Sequence, residues 1–178
     1  AKPFAAKDIA ELRAFAKDEL GLADFQPWDA AYVSEKLLQA RYAFSEQEVK
    51  QYFTEPKVLG GLFKVIESLF NVKVKPDTAP VWHEDVRFYR LESPAGDLVG
   101  QFYLDLYARE TKRGGAWMDE ARSRRRVLNG IQKPIAYLNC NFSRPVGGKP
   151  ATFTHDDVTT LFHETGHGLH HLLTRGEE

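Results

Sequence analysis

His163, Glu164, Thr165, Gly166 and His167 set two imidazoles four positions apart, with a carboxylate directly after the first. On an α-helix, residues four apart stack on one face over a single turn, so two such rings can grip one ion. Glu164 is rotated off the ligand axis, yet it can still reach a water held on that ion and act there as general base. Zinc lowers the pKa of such a water to about 7, so a carboxylate can take its proton near neutrality. The pattern is that of a zinc hydrolase using one Zn2+, with His163 and His167 as metal ligands and Glu164 as the catalytic residue.

The chemistry requires a helix, and the flanking residues predict one. Thr154 stands as N-cap with Asp157 three positions on, in the manner of a capping box. Val158, Leu161, Phe162, Leu169, Leu172 and Leu173 recur on an apolar face, and Gly176 is a natural stop. A third ligand is harder to place. His170 shares the helix face, but one straight helix cannot easily wrap three ligands tetrahedrally around an ion, so it reads as a packing or outer-sphere residue. The class with a further histidine six residues after the second needs Gly at 170 and His at 173, where this chain has His170 and Leu173. The arrangement that remains takes a glutamate from a later helix. Glu177 and Glu178 are the only carboxylates downstream, and they read as a solvated tail.

Other groups that invite chemistry have simpler readings. The basic run Arg122, Ser123, Arg124, Arg125, Arg126 reads as a solvated loop rather than a phosphate site. Gly114 and Gly115 form a turn too short to cradle phosphate. Cys140 has no motif partner and reads as a small buried side chain, and the single tryptophans Trp28, Trp82 and Trp117 read as packing residues.

The elements that must hold the motif follow from periodicity. Helices are predicted from about Ala6 to Leu20, after Pro27, Trp28 and Asp29, from Ser45 through Phe53 with a capping box at its start, and from near Pro56 through Phe70. The last is strongly apolar and should be buried, with Gly60 and Gly61 permitting close packing. Beyond it the period changes. Strands are predicted over Val72–Lys75, Val86–Leu91, Leu98–Ala108 and Ile135–Phe142, with Ser93 to Asp97 as a hairpin turn joining an antiparallel pair. The fold class is α+β, mostly helical, with a small antiparallel-dominated sheet beside the zinc helix. Residues 1–71 form its helical part, 72–150 its sheet-rich part and 151–178 the metal helix. A sheet beside a metal helix is also an architecture that can offer backbone groups to an extended peptide.

The chain of 178 residues has a formal net charge of -1, which gives no ground for nucleic acid or an acidic membrane surface as partner. A lone cysteine excludes an internal disulfide framework and suits a reducing compartment, and no apolar run is long enough to span a membrane. The absence of an initiator Met and the charged ending suggest a piece of something longer.

Four runs, Phe102 to Arg109, Arg113 to Asp119, Pro134 to Phe142 and Leu161 to Thr174, together resemble the thimet oligopeptidase family of zinc metallopeptidases, and Trp28, Asp29, Trp82 and His83 fit its pattern. The resemblance spans essentially the whole chain. It implies a cytoplasmic zinc endopeptidase that hydrolyses short oligopeptides, within a largely helical enzyme whose deep channel excludes folded proteins. It implies His163 and His167 as zinc ligands, Glu164 as general base, and the strand from Ala136 to Asn141 as an edge that pairs with substrate backbone. Thr165 departs from the family's phenylalanine. The family's glutamate ligand, and the tyrosine and histidine groups that stabilise its tetrahedral intermediate, lie later than this chain extends. Weak zinc binding and little hydrolysis are therefore expected of the chain alone. The rival reading is a non-catalytic peptide-binding or structural module with an unused motif. In a further alternative, a partner chain donates the missing ligand.

Overall fold

A computed structural model describes every residue except Ala1, Phe44, Glu177 and Glu178, so the expected tail carboxylates lie outside the described residues. The chain divides into two compact units, residues 1–49 and residues 50–178.

The first unit is helical. Helix α1 runs Lys2–Leu20, a single 3-10 turn covers Pro27–Asp29, α2 runs Ala30–Tyr42, and the short α3, Glu46–Lys50, closes the unit. Gly21 leaves α1 at φ 69°, a conformation glycine adopts without steric cost, and Leu22 N–H returns to Ala16 C=O at 2.8 Å. Ala16, Phe25 and Val33 form a small core, with Leu12, Phe15 and Leu20 packed at its margin. Trp28 is 78% exposed, so it is not the packing residue its type suggested. Ser45 caps α3 through the expected reciprocal bonds with Glu48, but the helix stops at Lys50, short of Phe53.

The second unit is built on a five-stranded sheet. After α4 (Glu55–Phe70) come β1 (Lys73–Pro76), β2 (Arg87–Glu92), β3 (Leu98–Tyr107), β4 (Trp117–Arg122), β5 (Arg125–Val127), β6 (Gly130–Gln132), β7 (Ile135–Phe142) and α5 (His155–Leu173). The strand order is β1-β2-β3-β7-β4, and β5 and β6 form a separate two-stranded hairpin. Three of the four pairings in the large sheet are antiparallel, including the β2–β3 hairpin over Ser93 to Asp97, while β3 and β7 run parallel. The α+β class is as the sequence predicts.

One sheet face is apolar and carries both helices. Leu62 and Ile66 of α4, and Leu161, Leu169 and Leu172 of α5, join Leu91, Phe102, Leu104, Ala136, Leu138 and Cys140 in one core. Only one side of α4 is buried: Val65, Leu69 and Phe70 are exposed, because the sheet covers a single stripe of a helix that is apolar nearly all round. Gly60 and Gly61 lie on the open side with nothing within 4 Å of an added Cβ, so they serve no close packing. The close approaches are elsewhere. A Cβ on Gly168 would meet Leu138 Cδ2 at 2.9 Å, and one on Gly100 would meet Leu172 Cδ2 at 2.9 Å and Pro134 C=O at 3.2 Å. These two glycines let α5 lie directly on β3 and β7.

The opposite face is an aromatic ladder. Phe88, Tyr103 and Tyr137 stand on adjacent strands with centroid spacings of 4.5 and 5.3 Å, and Trp82 covers both tyrosines at 5.1 and 5.5 Å. No helix among the described residues is long and apolar enough to cross a membrane.

Candidate metal centre

Helix α5 starts where the sequence places it. Thr154 Oγ1 accepts from Asp157 N–H at 3.0 Å and Asp157 Oδ2 accepts from Thr154 N–H at 2.9 Å, closing the capping box. The helix ends at Leu173, before Gly176 is reached, and Thr174 follows in an extended conformation. With Leu161, Gly168, Leu169 and Leu172 against the sheet, the rotation of α5 is set. Glu164 and Thr165 are then buried, while His163 and His167 project outward. Thr165 satisfies its hydroxyl within the helix, donating to Leu161 C=O at 2.7 Å, so this position holds a polar residue at no cost in unpaired groups.

The two imidazoles converge. His163 Nε2 and His167 Nε2 are 3.0 Å apart, with the rings edge to face at 80°. Two nitrogens bound to one zinc at about 2.05 Å and a tetrahedral angle would be separated by about 3.3 Å. The pair therefore sits at nearly the spacing a single divalent cation needs. Among the described residues no set of three or more His, Cys, Asp or Glu side chains is grouped as a metal cluster would need. His170 is exposed and so is not a packing residue: an offset of seven is about two turns, which keeps it on the outward face that carries His163.

Beside the pair lies a groove of about 660 Å³ between α5 and β4, bordered by Glu164, His167 and His170 on one side and Met118 and Glu120 on the other. This arrangement corrects the expected edge strand. β7 lies between β3 and β4, and both its edges are paired, so it cannot accept a further strand. The outer strand on this side is β4, which among the described residues pairs with β7 alone and whose Trp117, Met118 and Glu120 line the groove. Met118 and Glu120 pair with Leu138 and Ala136, which puts their side chains on the α5 face of the sheet.

Several groups that position β4 carry no local sequence signal. Asn141 on β7 donates through Nδ2 to Arg113 C=O at 2.8 Å and Gly115 C=O at 2.7 Å, pinning the turn that precedes β4. Upstream of that turn, Lys112 Nζ is buried and donates to Asp105 Oδ1 at 2.9 Å, to Tyr107 C=O at 3.0 Å and to Cys140 C=O. Asp105 also accepts a bidentate pair from Arg109 at 2.8 and 2.7 Å and the indole N–H of Trp82 at 3.0 Å. Burial alone would raise the Asp105 carboxyl, but the hydrogen bonds from Arg109, Lys112 and Trp82 outweigh it and hold the group down at about 2. At the far end, His171 spans from α5 to β4, with Nε2 at 2.9 Å from Arg122 C=O and Nδ1 at 3.6 Å from a Glu120 carboxylate oxygen.

The chain matches peptidase family M3 over residues 1–178. It belongs to peptidase family M3. Oligopeptidase A of Escherichia coli (strain K12) is 55% identical over 179 residues, covering 99% of this chain and 26% of that protein. Oligopeptidase A of Haemophilus influenzae is 50% identical over 177 residues, again 26% of its length, and the dipeptidyl carboxypeptidase of Escherichia coli is 37% identical over 177 residues. The chain thus spans about a quarter of the length of these M3 relatives. The resemblance read from the sequence motifs is supported along the whole chain.

Proposed function

We propose that this chain carries the two-histidine half of the active site of a zinc endopeptidase acting on short oligopeptides. The observation behind the reading is the 3.0 Å approach of His163 Nε2 to His167 Nε2, with Glu164 lining the adjoining groove between α5 and the outermost strand β4. The names of the M3 relatives, oligopeptidase A among them, support the substrate class.

His163 and His167 would hold the ion, a role for which two neutral imidazoles on adjacent turns are suited. Bound zinc supplies Lewis acidity and lowers the pKa of water to about 7. Glu164 then serves as general base, taking the proton of the attacking water and returning it to the leaving amine nitrogen. Its neighbours hold it in place, since the lack of a side chain at Gly168 lets α5 lie close against Leu138 of β7. The free edge of β4 orients the substrate by main-chain hydrogen bonds, which read an extended peptide with little regard to its side chains. A folded protein cannot present such a strand. The remaining ligand lies outside the described residues, so the chain by itself binds zinc weakly and turns over little substrate.

Zinc titration of the chain by calorimetry, beside a fluorogenic oligopeptide assay, tests this. Weak binding lost in His163→Ala and in His167→Ala is expected. Zinc affinity untouched by either substitution would refute the ligand assignment. Robust turnover abolished by Glu164→Gln would show that the chain needs no further ligand.

A further inference from the structure

His171 is half-buried near the end of α5 and lines the groove together with Glu164 and His167. It follows Glu164 by two turns, so it stands about 10 Å further along the same helix at 1.5 Å per residue. Its Nε2 lies 2.9 Å from Arg122 C=O. A carbonyl can only accept, so the ring donates from Nε2, and Nδ1 is left towards Glu120, 3.6 Å from a carboxylate oxygen.

The strand is shaped to receive this bond. Arg122, the first of the basic run read as a loop, is the last residue of β4, and Arg125 and Arg126 lie in β5. The β4–β7 register runs in step from Trp117, opposite Asn139, to Glu120, opposite Ala136. It then slips, so that Arg122 stands opposite Ile135 and Ala121 is the extra residue of a bulge. Ile135 and Ala136 are successive residues with side chains on opposite faces, so the slip takes the Arg122 side chain off the α5 face. What β4 presents to α5 there is the main-chain oxygen that His171 holds. A bulge also interrupts the ladder that ties β4 to β7, so the end of the strand depends on other contacts. Ser123 Oγ donates to Glu120 at 2.6 Å, and Gln132 Nε2 donates to Ser123 C=O at 2.8 Å. Asn141 holds the turn before β4 to β7, whereas His171 holds the end of β4 to the helix that carries Glu164, His163 and His167.

We propose that His171 is a positioning residue for peptide binding, whose bond to Arg122 C=O fixes the outermost strand relative to α5 before a peptide arrives. The inference rests on the reading of β4 as the peptide-binding strand. Without the bond, the peptide itself must order the bulged end of β4, and that cost is taken from its affinity. One intramolecular hydrogen bond is worth a factor of about two to ten in an equilibrium constant, so peptide affinity should fall by about that factor. Zinc affinity should not change, because helical geometry alone brings His163 and His167 together.

Three substitutions separate positioning from packing. Gln places its amide nitrogen near the place of Nε2 and can still donate, Asn is one methylene shorter and falls short, and Ala removes both donor and ring. On the 178-residue chain, fluorescence anisotropy with a labelled decapeptide of alternating Thr and Gln is read beside zinc calorimetry and amide hydrogen exchange. His171→Asn and His171→Ala should weaken peptide binding about two- to tenfold and speed exchange at Ala121 to Ser123, with zinc affinity unchanged and β7 still protected. His171→Gln should restore both peptide affinity and protection. Parent-like peptide affinity in His171→Asn overturns the proposal, as does a loss in His171→Gln equal to that in His171→Asn. Should His171→Ala fail to fold, the Asn and Gln variants decide by themselves. Equal binding of the decapeptide and a form with alternate backbone amides N-methylated, or no binding of either, refutes the strand-pairing reading and the proposal with it. Exchange at the end of β4 that is the same in the parent and in His171→Asn refutes the clasp whatever the peptide does.

Discussion

Gly168 offers a sharp test of how α5 is seated. An alanine Cβ there would stand 2.9 Å from Leu138 Cδ2, whereas carbon contacts settle at about 3.5–4.0 Å, so roughly 0.6–1.1 Å must be recovered. Leu138 is 2% exposed and enclosed by the core, which leaves its tip little room to retreat. Overpacking of this kind costs about 1–3 kcal/mol. Replacing a helical glycine by alanine returns about 1 kcal/mol, so the net loss for Gly168→Ala is about 0–2 kcal/mol. Gly166 provides the control. It lies on the same helix with nothing within 4 Å of an added Cβ, so Gly166→Ala should gain about 1 kcal/mol. The propensity term cancels between the two, and the remaining difference of about 1–3 kcal/mol is the steric cost alone. Urea unfolding followed by tryptophan fluorescence should separate their midpoints by about 1 M, for a slope of about 2 kcal/mol/M. In a Leu138→Ala background, which itself costs about 2–5 kcal/mol, Gly168→Ala should become as favourable as Gly166→Ala. Equal midpoints for the two glycine variants in the parent chain would refute the close seating of α5 on β7, and with it the account of how Glu164 is held.

Two further outcomes follow from buried groups. The Asp105 carboxyl is depressed from an ordinary 3.8 to about 2, so its contribution of about 2 kcal/mol is complete above pH 4 and is lost as pH falls from there toward 2; Asp105→Asn should be less stable at pH 7 and lack this component in urea midpoints between pH 5 and 2.5. Burial pushes the Cys140 thiol up to about 12, so a thiol reagent at pH 8 should leave the native chain unlabelled and label it in urea; fast labelling of the native chain would contradict the enclosed position of Cys140 under α5.

Local interactions explain why so much of α5 was legible. The capping box of Thr154 and Asp157 and the spacing of His163 and His167 involve residues within one or two turns, and helical geometry alone brings them together. The strand character of Ile135–Phe142 was equally local, since alternate residues on it are buried. Its rank in the sheet was not. Whether a strand is central or at the edge depends on pairing with segments far away in the chain, here β3 and β4, and edge and centre can read alike in sequence. The groove border therefore passed from Ala136–Asn141 to β4. The same reason hid the environment of Asp105, whose partner Trp82 is separated from it by 23 residues, and the seating of α5 through Gly168; Gly60 and Gly61, read as packing glycines of α4, meet nothing.

By itself, then, the sequence determined the local arrangement on α5: two imidazoles and a carboxylate whose relative placement is a property of a single α-helix. Only the tertiary structure decided what that helix faces. The long-range pairing of β3, β7 and β4 placed β4 outermost in the sheet and beside Glu164, because non-local hydrogen bonding and not local propensity sets the order of strands in a sheet.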